Sequence, residues 1–290
     1  MLSQNENHRG AFLMSASMAA FVFNDALMKS VSGEVGLYQA ILVRGVIVTL
    51  LIGAYALYKG ALWPRLSFSD WRLLALRSVG EVGSTLCFLT ALFHMPLANA
   101  IAILQSMPLA VTLAAAVFLG VPVGWRRYTA IAVGFVGVLL IVQPTGSGFN
   151  QYSLLAVAAV LFLVLRDLTT RQMSAAVPSV FVAFTAALVV LLVGASVSVV
   201  EPWAPLSTGS LVALASAACF IFFGYTCAVM AMRVGDISFV SSFRYTILLW
   251  ALGLGYFAFG DIPDQLSLVG IAIVTASGLY TFYRERNLGA

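Results

Sequence analysis

The stretch "AFVFNDALMK", residues 20–29, closes a long apolar run with an acid and, four residues later, a base. It returns as "FLVLRDLTTR", residues 162–171, where Asp167 lies over Asp25 and Arg171 over Lys29 at an offset of 142. Further along, "ALFHMPLANAIAILQSMPLAVTLAAAVFLG", residues 91–120, lies over "AMRVGDISFVSSFRYTILLWALGLGYFAFG", residues 231–260, at an offset of 140. One step later Pro122 falls on Pro263 and Gly137 on Gly278. Identity is low, but a nearly constant offset over several segments is the mark of an internal repeat.

Composition sets the environment of that repeat. Of the 290 residues 61% are hydrophobic and 9% charged, against roughly a quarter charged in ordinary soluble domains. So much apolar surface must face lipid. The chain therefore reads as all-α and polytopic, with the lipid bilayer as a partner. Ten segments have the roughly 20 largely apolar residues that a membrane-crossing helix needs. They run 10–29, 37–58, 75–95, 97–118, 126–143, 151–171, 178–199, 209–231, 237–259 and 266–283. The loops are short, and the longest is "YKGALWPRLSFSDWR". "MLSQNENHRG" carries a single arginine before the first of the ten runs, so it is not read as a cleaved secretory leader. Cys87, Cys219 and Cys227 fall inside apolar runs as packing residues, with no disulfide framework indicated.

The net charge of +4 is explained by topology and does not call for a nucleic-acid partner. Arg9, Lys59, Arg65, Arg72, Arg126, Arg127, Arg171, Arg233, Arg284 and Arg286 lie on the N-terminal side of the spans, and only Lys29 lies on the other. Positive charge is retained on the cytoplasmic face, so both termini are expected there. With five spans each, residues 1–145 and 146–290 enter the membrane from opposite sides. The expectation is two inverted five-helix repeats, an arrangement typical of secondary transporters. Channels and scaffolds also arise by duplication, and composition does not separate a continuous pore from an alternating cavity.

The five-plus-five spans, the proline-containing fourth span, the "FLG" and "FGD" endings of spans four and nine, and the runs "AVGFVGVLLI" and "LVGIAIVTASGLY" resemble the EamA-type drug/metabolite transporters. Within that superfamily the chain most resembles the bacterial YddG-type amino acid exporters. The resemblance implies a carrier in the bacterial cytoplasmic membrane that exports amino acids, aromatic or other hydrophobic ones among them, and related small metabolites. It also shows a departure. The acid that the family often places after the glycine ending these spans is present as Asp261 but replaced by Val121 in the first half.

Ionisable groups inside a bundle usually face a cavity or a partner. Asp25 with Lys29, and Asp167 with Arg171, have the spacing of helix-end ion pairs and are also candidate gating residues near opposite surfaces. Glu81 lies one turn after Arg77. It is either an intrahelical partner or a proton-carrying or substrate-facing carboxylate, with Ser84 and Phe88 continuing its stripe. Arg44 and Arg244 each lie about seven residues, roughly 10 Å, inside a span. They either snorkel to the nearer surface or, with Arg166, offer planar donor forks to a carboxylate or phosphate. Pro108 should displace the Leu104 carbonyl and kink span four beside Gln105 and Ser106. Under the repeat these residues match Tyr245 and Thr246, so Gln105, Ser106 and Tyr245 are the favoured binding residues. Ser17, Phe21 and Asn24 form a stripe on span one, and Ser216, Phe223 and Cys227 form another on span eight with Tyr225 nearby. Helix packing is the alternative reading of both.

Enzyme chemistry finds little support. His8 and His94 are far apart in topology and the cysteines are unaccompanied, so no metal site is legible. Asp25 and Asp167 sit near opposite surfaces and cannot form an aspartyl dyad. No phosphate-binding glycine loop occurs and no cofactor is called for. A small-molecule substrate in a shared polar chamber is what remains.

Overall fold

A computed structural model describes residues 4–144, 149–174, 176–200, 203–232, 234 and 237–288. Arg233, one of the basic residues counted above, lies outside them. The described residues form helices α1 (Gln4–Ser30), α2 (Leu37–Tyr58), α3 (Phe68–His94), α4 (Leu97–Leu104), α5 (Met107–Leu119), α6 (Trp125–Val142), α7 (Tyr152–Gln172), α8 (Ser179–Ser198), α9 (Thr208–Ala231), α10 (Ile237–Ser242), α11 (Thr246–Phe259) and α12 (Gln265–Leu288), with a 3₁₀ turn at Phe243–Tyr245. The protein is all-helical and polytopic. Eight segments, α4 and α5 counted together, are long and apolar enough to cross a membrane. The ninth span is α10, the 3₁₀ turn and α11 in series, and α12 supplies the tenth. An even number of spans leaves both chain ends on one side of the bundle, here termed the terminal end, with the far end opposite.

Two boundaries move outward from the sequence reading. The third helix starts at Phe68, because the Ser67 hydroxyl accepts from the Asp70 amide at 3.1 Å and donates to its carboxylate at 2.7 Å. This N-cap satisfies a free amide of the first turn and fixes the start ahead of the apolar run. The first helix reaches back to Gln4, through residues too polar to be counted as spanning.

Spans four and nine are both interrupted. In span four α4 ends at Leu104 and α5 starts at Met107, with Pro108 in its first turn, as the displaced Leu104 carbonyl requires. Span nine breaks in the 3₁₀ turn without a proline. At both breaks a hydroxyl folds back onto the carbonyl three residues earlier: Ser106 Oγ to Ile103 O and Thr246 Oγ1 to Phe243 O, each at 2.7 Å. α4 is buried on almost every face, from Leu97 to Ile103, and is the centre of the core.

The closest packing joins α1 to α9, α3 to α7, α2 to α8 and α6 to α12. In span numbers these are one with eight, three with six, two with seven and five with ten. The set is unchanged when the first five spans and the last five are exchanged. The tightest approach is between α6 and α12. A Cβ at Gly137 would lie 2.9 Å from the Gly270 carbonyl oxygen, and one at Gly270 would lie 2.5 Å from that of Gly137. Small residues let backbones meet in this way where water cannot drive association. The outer faces carry exposed apolar side chains such as Leu50, Phe118, Leu161 and Phe257, which suits contact with lipid.

Candidate functional site

Charged side chains of spans three, six and nine gather in the terminal half of the bundle, with Tyr225 of span eight in electrostatic reach. Arg77 and Glu81 share a face of α3, with Arg77 Nη2 3.3 Å from Glu81 Oε2. Close packing of α3 on α7 brings Arg166 Nη1 to 3.8 Å from Glu81 Oε1. Arg166 Nε also donates to Asp167 Oδ1 at 2.9 Å, and Arg77 Nε donates to Thr170 Oγ1 at 3.1 Å. Thus Glu81 does pair within its own helix, and it also bridges to the second half of the chain.

Arg244 projects from the 3₁₀ turn that interrupts span nine. It is exposed, and it forms no hydrogen bond or ion pair with any described residue. Asp167, Arg166 and Tyr225 lie within its electrostatic reach. Three arginines therefore face two carboxylates, leaving one positive charge unmatched. Charged side chains on spanning helices that remain partly accessible require water; Arg166 is 25% exposed and Asp167 31%. These partly accessible charges mark a polar side of the terminal half. The Tyr225 hydroxyl is half-exposed and the Gln105 amide half-buried, and neither is engaged in a hydrogen bond among the described residues.

The remaining candidate binding residues are dispersed. Ser106 is buried and committed to Ile103 O. Tyr245 is buried with its hydroxyl against Gly278 of α12. In this conformation Ser106 turns to its own helix and Tyr245 to α12. Ser84 is buried and donates to the Glu81 carbonyl at 3.0 Å, while Phe88 packs on the main core. Phe21 packs against Gly224 and a small cluster around Met14 and Met18. On α9, Ser216, Cys219, Phe220 and Phe223 line an apolar recess of about 560 Å³. Cys227 is buried away from it.

The two helix-end ion pairs expected from spacing do not form. Asp25 accepts instead from Asn24 Nδ2 at 2.9 Å, and Arg44, buried rather than snorkelling, donates from Nη1 to Asn24 Oδ1 at 3.1 Å. Lys29 reaches past the end of α1 to Asp261 Oδ2 at 3.1 Å and the Met95 carbonyl at 2.6 Å, with the Phe259 ring 5.2 Å away. This arrangement occupies two of its three N–H donors, whereas the acid one turn back offers one partner. Asp167 is taken by Arg166, and Arg171 is exposed with no ion-pair partner among the described residues.

Sequence reading missed Asp261 as the partner of Lys29. The signal was present in the acid at 261 that has no counterpart at 121. Other ties between the chain's halves also close the far end. Gln39 exchanges hydrogen bonds with the Ala204 backbone at 2.8 and 3.1 Å, and Ser210 donates to Glu34 at 2.5 Å. Asn150 donates to the His94 carbonyl at 3.0 Å, Asn99 to Ser267 Oγ at 3.3 Å, and Gln143 to Asp264.

Known proteins can now be set beside this geometry. Residues 8–143 match the EamA-like transporter family. The matched stretch ends with α6 and so spans the first five crossings. The chain is 25% identical over 268 residues to the pseudopaline exporter of Pseudomonas aeruginosa, covering 91% of this chain and 93% of the relative. It is 26% identical over 293 residues to a riboflavin transporter of Vibrio cholerae, covering 97% of each. An S-adenosylmethionine uptake transporter of Rickettsia conorii is 25% identical over 195 residues, covering 66% of this chain and 65% of the relative. A solved crystal structure shares the fold with a TM-score of 0.67 at 19% identity, over 97% of this chain and 99% of that one. These relatives are all transporters, and the family likeness covers residues 8–143.

Proposed function

We propose that this chain is a secondary transporter of small metabolites that works by alternating access, with residues 1–145 and 146–290 as inverted repeats. Several features support the repeat. Span pairing survives exchange of the halves, and the hydroxyl back-bonds at the two breaks lie 140 positions apart. Gly83 packs on the Phe162 ring and Gly224 on the Phe21 ring, each residue 141 positions from its counterpart. The family match, too, covers one five-span unit. In the finer reading, the protein exports amino acids, hydrophobic and aromatic ones included, across a bacterial cytoplasmic membrane with both termini cytoplasmic.

The observation that carries the substrate reading is the unmatched Arg244. It stands within electrostatic reach of Asp167, Arg166 and the Tyr225 hydroxyl, and Arg166 links this group to Glu81. A zwitterion suits this set: its carboxylate takes the guanidinium fork and its ammonium the acids. Binding would then bias the balance between states open at either end. Asn24, Phe21 and the far-end acids would line or close the path in the alternate state.

The test is uptake of a labelled amino acid panel by vesicles, with and without a pH gradient. Arg244→Ala is expected to raise KM by roughly tenfold or more, the loss of a charge-assisted hydrogen bond, at unchanged protein level. Tyr225→Phe should raise it by less. No saturable transport of any panel member, or an unchanged KM in Arg244→Ala, would overturn the reading.

A further inference from the structure

One ammonium at the far end holds one carboxylate and has a second one turn back on its own helix. Lys29 is held by Asp261 and the Met95 carbonyl. Asp25 lies one turn back on the same helix, at the spacing where acidic and basic side chains meet, yet it accepts only from the neutral Asn24 amide. A carboxylate on a spanning helix is stabilised either by a paired cation or by a proton.

The groups that act on Asp25 are few. Arg44 of α2 is its electrostatic neighbour, but it makes no ion pair with Asp25 and directs Nη1 to Asn24. On α1 itself Asn24 acts on it, and Lys29 follows one turn on. α3, α4, α9, α10, α11 and the 3₁₀ turn also pack on α1, and no charged group of theirs acts on Asp25 among the described residues. Glu81, the acid singled out from the sequence as a proton carrier, has guanidinium groups on both sides. Asp25 has none at ion-pair distance.

We propose that Asp25 is a proton-binding site whose occupancy sets the far-end latch: Lys29 stays on Asp261 while Asp25 carries a proton, and turns back to Asp25 when that proton leaves to water. The Lys29 side chain changes partner with little backbone motion, and Arg44 follows toward the new negative charge through Asn24. Taken with the alternating-access reading, on which its transport consequence rests, this places proton release together with far-end opening.

The test measures the latch directly. Spin labels on Gly33→Cys and Ile262→Cys, both exposed positions of far-end loops, are introduced after Cys87, Cys219 and Cys227 are replaced. Distances are then recorded in lipid nanodiscs without substrate, between about pH 5 and pH 9. The parent should move from a short to a longer distance as pH rises. Asp25→Asn, a near-isosteric mimic of the protonated acid, should stay short throughout, and Asp261→Asn should stay long. An unchanged distance in the parent, or a parent-like pH response in Asp25→Asn, would overturn the proposal. Because no substrate is present, a failed transport assay and a failed latch are told apart.

Discussion

Two corners of the molecule share a backbone and differ in one side chain. Gly120 ends α5 at φ 66°, and Gly260 ends α11 at φ 69°. Glycine adopts this left-handed conformation without the Cβ penalty. In both, the next amide folds back six residues, Val121 N to Ala115 O and Asp261 N to Gly255 O, at 3.3 and 2.9 Å. At the far end Asp261 catches Lys29. At the terminal end Val121 offers no charge, and Arg171, which lies over Lys29 in the sequence, has no ion-pair partner among the described residues. The two corners thus share a backbone geometry, but only the far one carries an acid that ties it to α1.

Asp261→Val should level that inequality and have the largest effect. It removes a partly buried charge-assisted bond worth about 1.5–3 kcal/mol, a shift of roughly 10- to 100-fold toward a far-end-open state. Distances between labels at Gly33→Cys and Ile262→Cys would report it, and an unmoved distribution would mean the neutral ties alone hold that end. Val121→Asp attempts the converse, a second latch with Arg171. Both positions are exposed, so about 0.2–1 kcal/mol is expected, at most roughly fivefold toward closure of the terminal end. Labels at Gly124→Cys and Ala176→Cys would read it as a shortened distance.

The smallest effect belongs to acid. Asp264 lies outside the spans, and donors from Ser267 and then Gln143 hold its carboxyl below the ordinary carboxylate range. Its folded value is depressed, so the stabilisation is present above the unfolded value and fades as pH falls through the folded one. Gln143→Ala should therefore lower the melting temperature slightly at neutral pH, and the difference should begin to shrink only below about pH 4 and disappear as pH falls through the depressed folded value. A gap that persists in acid would assign the loss to packing.

What the sequence disclosed follows from the range over which each force acts. Ten crossings were legible because lipid demands an unbroken apolar length. The break in span four was legible because Pro108 announces it. Its twin at Phe243–Tyr245 falls in "ISFVSSFRYTILLW", which has neither proline nor glycine, so only the repeat points there. The ion pairs were misassigned because spacing reports neighbours within one helix. Lys29 found its acid 232 residues away, a partner chosen by how α1 and α11 pack. Arg244 was legible as a charge, but its lack of a partner appears only once the helices are assembled.

The bare contact between Gly137 and Gly270 bears on how the chain is made. α6 leaves the ribosome more than a hundred residues ahead of its mate α12. Until α12 follows, a glycine-floored groove on α6 stands open to lipid or to a stray helix. A chain stopped short of residue 265 would therefore be left with the early half unfinished, and cellular surveillance would meet the damage there, more than a hundred residues upstream of the missing piece.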